Sequence, residues 1–470
     1  MTLPTRAPAH ATLRSFLDAI GFCVRVEAAR GKGCAPYEPW PAMADDRGAD
    51  PWVSALHGAR SGGVMPSAAG HQEAVPALCG LGLLGDSQPF RPGRWEATSF
   101  HGIVVVRDRS AVPGEGRVYL GEDGLRFAEA VMRVRAAGSA LDIGCGSGLV
   151  TAALALTCDT VLGVDVVPEC VDATAATAVL NGLSGKVSVR EGDLMTADFP
   201  AAFDCVAANL PGVPVPRGLR YSRAGDGGPD GLRLIRGLLE RAPGWIRRPE
   251  SSARNPVLLM RFQCLGDRSG PMLMRELAEH ARANAWDIEV VSDSRVAAEV
   301  RSALTAYYAG PLNPELSGAD ILRLADDHAR ELGATCFYSS TLIARPGAGS
   351  VRFVDLARPQ WLDTPVTTPR DATGLKGMTG TVEHRYYSRL GTLPEGYWEM
   401  GTEHFITVMV ERWPALLDRW ASGGVTLRQV LDEEFADEFA RDPLAARSLY
   451  TTGSLLLDVL GRPGTGGGAR

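Results

Sequence analysis

The chain has 470 residues, more than one hydrophobic core accommodates, so two or three folded units are expected. Hydrophobic residues make up 45% and charged residues 22%, which excludes a disordered chain, and the absence of any uncharged apolar run of about 18 residues excludes a membrane-spanning helix. The formal net charge of -7 argues against a polyanionic partner, because nucleic-acid binders carry a basic footprint.

The opening stretch MTLPTRAPAHATLRSFLDAIGF lacks the continuous apolar core of a signal peptide, and a cytoplasmic protein is expected. The nine cysteines are odd in number and widely spread. With no C-x-x-C spacing and no nearby histidines, they point to neither a disulfide framework nor a metal site. Residues 1–105 read as a mainly helical cap, with pieces such as ATLRSFLDAIGF and QEAVPALCGLGLL, followed by the strand-like FHGIVVVRD.

From about residue 118 the rhythm changes. The helix pattern GLRFAEAVMRVRAAG leads to the strand ALDIG, the helix GLVTAALALTC, the strand TVLGVD, the helix ECVDATAATAVLNG and the strands KVSVREGD and FDCVAANLPG. Further on come the helix GLRLIRGLLERAPGWI, the strand VLLMRF, the helix MLMRELAEHARANAW, the strand DIEVVSDS and the late strand CFYSSTLIARP. Strands alternating with helices imply right-handed crossovers and an α/β fold with a mostly parallel sheet over 118–347. Residues 348–460 mix turns, aromatics and helix as a C-terminal lid or accessory region, and 461–470 is a glycine-rich tail expected to be disordered.

The first βα turn reads Asp142-Ile143-Gly144-Cys145-Gly146-Ser147-Gly148. In an open parallel sheet, glycines at this place let a ligand approach the backbone at a helix start. The spacing is G-x-G-x-G, whereas a dinucleotide fingerprint asks for G-x-G-x-x-G. Asp142 suits a cationic ligand better than a pyrophosphate. Two further acids end the next strands: Asp165, followed by Val166, where a carboxylate can accept from ribose hydroxyls, and Asp193, followed by Leu194, where adenine would lie. A strand-end acid by itself is more often a cap or turn residue, and a glycine turn alone can be a tight bend with no ligand.

Taken together, the glycine turn and the three acids resemble the class I S-adenosylmethionine-dependent methyltransferases. The resemblance implies a Rossmann-like sheet, mostly parallel with a late antiparallel strand, and S-adenosylmethionine as cofactor. It assigns Asp142, Gly144, Cys145, Gly146, Gly148, Asp165, Val166, Asp193, Leu194 and Asn209 to cofactor binding, with no metal. The fourth strand ends Asn209-Leu210-Pro211-Gly212, similar to the N-P-P-Y motif of enzymes that methylate amide or amino nitrogen. That similarity implies a transfer site at Asn209, Leu210 and Pro211, in which the Asn side-chain oxygen and the next backbone carbonyl hold an N–H₂ for attack. AGDGGPDGLRLIRGLL, and VYLGEDGLRFAEAVM upstream, resemble the corresponding segments of the release-factor glutamine methyltransferases. Leu210 and Gly212 depart from the motif, Gly212 removing the aromatic wall of a planar acceptor. In isolation a plain turn accounts for NLPG better, and the surrounding motifs reverse that preference.

Four acceptor readings stand at this level. The preferred one is a nitrogen of a small molecule, amino-acid-like or a specialised metabolite, with the terminal regions as lid. The alternative is a protein glutamine; a nucleic-acid base and a non-catalytic assembly module come after. Between 391 and 440 ten acids face three arginines, ordinarily a solvated helix face. Within that stretch Trp398, Glu399, Glu403 and His404 would also suit a lid over a cationic acceptor such as a guanidinium.

Overall fold

The computed structural model describes residues 7–31, 51–56, 73–85, 93–108, 118–199, 202–248, 255–356, 415–416, 419–420, 422 and 424–437. Trp398, Glu399, Glu403 and His404 lie outside the described residues.

The N-terminal region contributes helices α1 (Ala7–Ala19), α2 (Phe22–Gly31), α3 (Pro51–Leu56) and α4 (Val75–Gly80). It is less purely helical than its composition implies. FHGIVVVRD does not form one strand: Gly102 takes a positive φ beside His101, and the chain reverses there, pairing β1 (Trp95–Phe100) antiparallel with β2 (Ile103–Asp108). The cap is not a detached unit. Leu13, Leu17, Trp52 and Leu78 share a core with Val104, Val106, Cys170 and Ala173.

Beyond it run α5 (Glu122–Val134), β3 (Ser139–Ile143), α6 (Leu149–Ala155), β4 (Thr160–Asp165), α7 (Pro168–Leu180), β5 (Val187–Glu191), β6 (Cys205–Asn209), α8 (Arg233–Trp245) and β7 (Val257–Asp267). The two-residue β8 (Gly270–Pro271) is followed by α9 (Met274–Asn284), β9 (Trp286–Ala297), α10 (Ala298–Ala309), α11 (Gly318–Glu331), β10 (Cys336–Pro346), β11 (Val351–Asp355) and the separate α12 (Leu427–Glu434).

Nine strands form one sheet in the order β11-β9-β10-β7-β6-β3-β4-β5, with β8 paired to β7. The run β7-β6-β3-β4-β5 is parallel, and β10 lies antiparallel between β7 and β9. This is the Rossmann-like class I methyltransferase fold, including its late antiparallel strand. The central parallel strands β3, β6 and β7 are buried on both faces, which is why they read as continuous apolar runs instead of alternating ones, whereas the edge strand β5 stays partly exposed. On one face α8 and α9 pack Ile235, Leu238 and Leu277 against Val206, Leu258 and Met260. On the other, α5 and α6 pack Phe127, Val131 and Leu154 against Ala140, Cys205 and Leu259.

Two features exceed the periodicity in the sequence. The sheet continues to Asp355, because β11 adds in parallel to β9 beyond residue 347. The helical pair α10–α11, unassigned from pattern, stands between β9 and β10. Ser317 caps α11 in a reciprocal box with Asp320, and Ile321 and Leu322 pack with Ala306 and Ala309 of α10.

Candidate active site

Chain order creates a crevice. From β3 the chain steps outward through β4 to β5, then returns to place β6 on the opposite side of β3. The strand order reverses between β3 and β6, and ligands of open α/β sheets bind beyond the carboxyl ends at such a point. The glycine turn follows β3 and Asn209 ends β6, so both lie on this crevice.

The turn is fixed from beneath. Gly144 N and Cys145 N donate to the Val164 carbonyl at 2.8 and 3.1 Å, while Thr174 and Thr177, one turn apart on α7, donate their hydroxyls to Gly146 O and Ser147 O. All three glycines take positive φ, of 73°, 54° and 83°. Their surroundings differ. A Cβ on Gly148 would stand 2.8 Å from the Thr174 Cα, so that glycine is required by packing. A Cβ on Gly146 would meet nothing nearer than Gly144 O at 3.8 Å, and Gly144 is exposed. The open side of Gly144 and Gly146 leaves the backbone accessible to close approach, as a cradle for a ligand requires.

The acids occupy three distinct environments. Asp142 is 1% exposed and accepts from the Thr151 hydroxyl at 2.6 Å. Burial pushes its carboxyl up to about 7, partly countered by the Thr151 bond and reinforced by Asp165. Its carboxylate thus sits beneath the turn, held by α6, instead of lining the crevice openly as expected from the sequence. Asp165 accepts from Gly146 N and Val167 N, one to each oxygen, both at 2.9 Å. Burial raises its pKa and these backbone donors lower it. Backbone donors thus orient both oxygens at the end of β4, and Val166 beside the carboxylate is exposed. Asp193 is exposed and accepts from Met195 N at 2.9 Å, an ordinary turn bond. Leu194 faces inward, packed in the core that holds Val164 and Phe199, and the exposed apolar residue of this segment is Met195. Cys145 is buried and its thiol pKa is pushed well up by burial, which leaves it a protonated packing group.

Across the crevice a Cβ on Gly144 would lie 3.7 Å from the Asn209 carbonyl and 3.6 Å from Leu210 Cδ2. The Asn209 side chain is half-buried and donates from Nδ2 to Asp123 Oδ2 at 2.8 Å. Asp123 belongs to the first turn of α5 and its other oxygen accepts from the Tyr119 hydroxyl at 3.1 Å. The sequence pattern gives no signal for Asp123, since an acid in a first helical turn reads as a dipole or cap residue.

Gly212, which replaces an aromatic, has its own reason: a Cβ there would stand 2.9 Å from Gln263 O and 3.0 Å from Gln263 N of β7. Leu210 is buried and Pro211 half-buried. The loop that follows is held by the α10–α11 pair. Asn313, fully buried, bonds both Arg220 N and Arg220 O, Arg301 donates to the Tyr221 hydroxyl at 2.7 Å, and Val213, Val215 and Leu219 pack on Ala306 and Ile321.

Residues 140–217 match the family model described as "Methyltransferase domain". The chain is 34% identical over 117 residues to the ribosomal protein uL3 glutamine methyltransferase of Bordetella pertussis, covering 23% of this chain and 39% of that protein. To the ribosomal protein L11 methyltransferase of Aeromonas salmonicida it is 36% identical over 103 residues, 21% of this chain and 34% of the relative. The solved ribosomal protein L11 methylase of Lactobacillus delbrueckii subsp. bulgaricus aligns with 17% identity and a TM-score of 0.26, over 36% of this chain and 72% of that one. The chain thus spans less than two fifths of the length of the curated relatives it matches.

S-adenosylmethionine is the cofactor these matches imply, and the cradle at Gly144 and Gly146 with the Asp165 carboxylate beside it fits that molecule. The small-molecule acceptor expected from the sequence is overturned: the curated relatives carry ribosomal proteins in their names as what they methylate. Among the described residues no helix is long and apolar enough to cross a membrane.

Proposed function

We propose that this chain, carrying a class I methyltransferase fold, transfers a methyl group from S-adenosylmethionine to a side-chain nitrogen of a protein, with the glutamine amide as the acceptor of first choice. The observation that carries the reading is the Asn209 amide at the tip of β6: its Nδ2 is engaged by Asp123, and its Oδ1 accepts nothing from the described residues. That oxygen is available to an incoming N–H₂ group beside the glycine cradle. The relatives named for ribosomal-protein acceptors support a protein as the partner.

When bound, S-adenosylmethionine supplies an electrophilic methyl group on a sulfonium. The chain's own contribution is placement. Asp165 holds the ribose, Gly144 and Gly146 admit close approach, and the Asn209 oxygen directs the acceptor lone pair along the line of attack. An amide lone pair is delocalised, so orientation and exclusion of water matter more than a strong base. As the N–C bond forms and the S–C bond breaks, the S–C electron pair would stay on sulfur as a neutral thioether, and the amide nitrogen would give up one N–H proton to solvent.

The test incubates the protein with methyl-tritiated S-adenosylmethionine and recombinant ribosomal proteins uL3 and L11, followed by mass spectrometry of tryptic peptides. A methyl group on a glutamine amide or another side-chain nitrogen is expected. Label found solely on free amino acids or RNA would overturn the reading. Asn209→Ala should lower turnover about a hundredfold, the effect of losing one orienting hydrogen bond in a desolvated site, with a much smaller change in cofactor affinity. Asp165→Ala should weaken cofactor binding by roughly 10- to 150-fold in calorimetry.

A further inference from the structure

We infer that Asp123 is a positioning residue for methyl transfer, fixing which face of the Asn209 amide meets the acceptor. The inference rests on the reading of Asn209 as the residue that orients the acceptor nitrogen.

A primary amide can present either its oxygen or its N–H₂ to a ligand, and the two ends have nearly the same shape. An N–H₂ acceptor is held only by the oxygen. The carboxylate of Asp123 can only accept, so it draws the Asn209 nitrogen toward α5, at 2.8 Å, and turns the oxygen the other way. The bond is charge-assisted and it polarises the amide, raising the electron density on Oδ1, which strengthens the hydrogen bond that oxygen accepts from the acceptor N–H₂ and leaves the acceptor nitrogen more electron-rich.

The structure braces Asp123 in two ways. Tyr119 donates its hydroxyl to the other carboxylate oxygen, so both oxygens are engaged. One turn further along α5, Arg126 approaches Asp293 at 3.5 Å, and Asp293 is gripped through both carboxylate oxygens by the buried Arg261. Arg261 stands on β7 in direct register with Asn209 on β6. The start of α5 is thereby tied to two points of the sheet, β6 through Asp123 and β9 through Arg126. Gly124 lies alongside, where a Cβ would be in ordinary van der Waals contact with the Asn209 nitrogen at 3.7 Å. Asp123 lies 86 residues from Asn209 in sequence, and the pair exists only because α5 packs over the end of β6.

The experiment is a double-mutant cycle on the full chain with ribosomal protein uL3 as acceptor, combined with calorimetry for S-adenosylmethionine. Asp123→Leu should lower kcat by roughly tenfold to a hundredfold, with cofactor affinity little changed, and adding it to Asn209→Ala should lower turnover no further than Asn209→Ala alone. Asp123→Asn, which keeps an accepting oxygen without the charge, should fall between Asp123→Leu and the wild type. A second measurement needs no acceptor: the side-chain ¹⁵N–H₂ protons of Asn209 should be protected from exchange in the wild type and Asp123→Asn, and unprotected in Asp123→Leu. Fully multiplicative losses in the cycle, an effect confined to cofactor affinity, or an unprotected Asn209 amide in the wild type would overturn the inference. Full turnover by Asn209→Ala would overturn the reading of Asn209 itself and the inference with it. A deficient Asn209→Ala beside a fully active Asp123→Leu overturns the inference alone.

Discussion

The two banks of the crevice are built in opposite ways. On the cofactor bank, the turn after β3 and the ends of β4 and β5 follow one another along the chain, and the bonds that set them span no more than 30 residues: Asp165 to Val167 N, Asp142 to Thr151, Thr174 to Gly146 O and Thr177 to Ser147 O. On the acceptor bank, Asn209 is fixed by Asp123, and the loop after it by Arg301, Asn313, Glu315 and His328, partners 80 to 99 residues away. A binding place assembled from neighbouring segments varies little with what is appended elsewhere. One assembled from distant segments can be rebuilt by changing one of those segments without disturbing the other bank.

The contrast can be broken most forcefully at Gly148. Gly148→Ala places a Cβ against the Thr174 backbone at a φ of 83°, and overpacking plus backbone strain should cost about 3 to 5 kcal/mol in urea unfolding. Gly146→Ala meets open space, so its cost should be limited to backbone strain, of order 1 to 3 kcal/mol, while it impairs cofactor binding. Equal destabilisation by the two would show that the cradle has no open side.

Asp142 sharpens the same bank through pH. An acid whose folded-state pKa lies above its unfolded value stabilises the fold in its protonated form; that contribution is complete below 3.8 and is lost as pH rises through about 7. Unfolding of the cofactor-free protein should therefore show stability declining between about pH 4 and 7, a decline reduced in Asp142→Asn, whose amide oxygen still accepts from Thr151. The gap should reach a few kcal/mol above pH 7, and parallel profiles of the two proteins would refute the buried-acid description.

On the acceptor bank, Asn313→Ala removes three hydrogen bonds and leaves Arg220 N, Arg220 O and Ala309 O without that partner. A loss of about 2 to 3 kcal/mol is expected, with turnover falling further than cofactor affinity, because the loop it holds adjoins Asn209. Unchanged turnover would detach α10–α11 from the acceptor side. The smallest effect belongs to Arg220→Ala. Its pair with Glu315 is exposed on both sides, and a change within about 1 kcal/mol, shrinking further in salt, is expected.

How far the sequence reaches can be judged residue by residue. The alternation of strands and helices located β3 to β7 and the late strand, because buried parallel strands and amphipathic helices leave their periods in the composition. The glycines at 144, 146 and 148 were legible because a positive φ admits little else. The burial of Asp142 was not: the letter D at a strand end is the same whether a helix covers it or solvent does. The turn at His101-Gly102 cut the expected strand near its start, leaving its apolar run whole as β2, and the partner strand Trp95–Phe100, too polar to read as a buried strand, was not assigned. The roles of α10 and α11 were hidden for the same reason that their partners are nearly a hundred residues away.

By itself, then, the sequence determined the α/β class, the place of the glycine turn and the Asn209 strand end, because these depend on local backbone freedom and on periodic burial. Only the tertiary structure decided that Asp142 is interior, that Gly148 serves packing whereas Gly146 faces open space, that Gly212 is dictated by the β7 backbone, and that Asp123 accepts from the Asn209 amide. Each of these depends on which distant surface closes over a residue, and desolvation, close approach and hydrogen-bond pairing are properties of that closure.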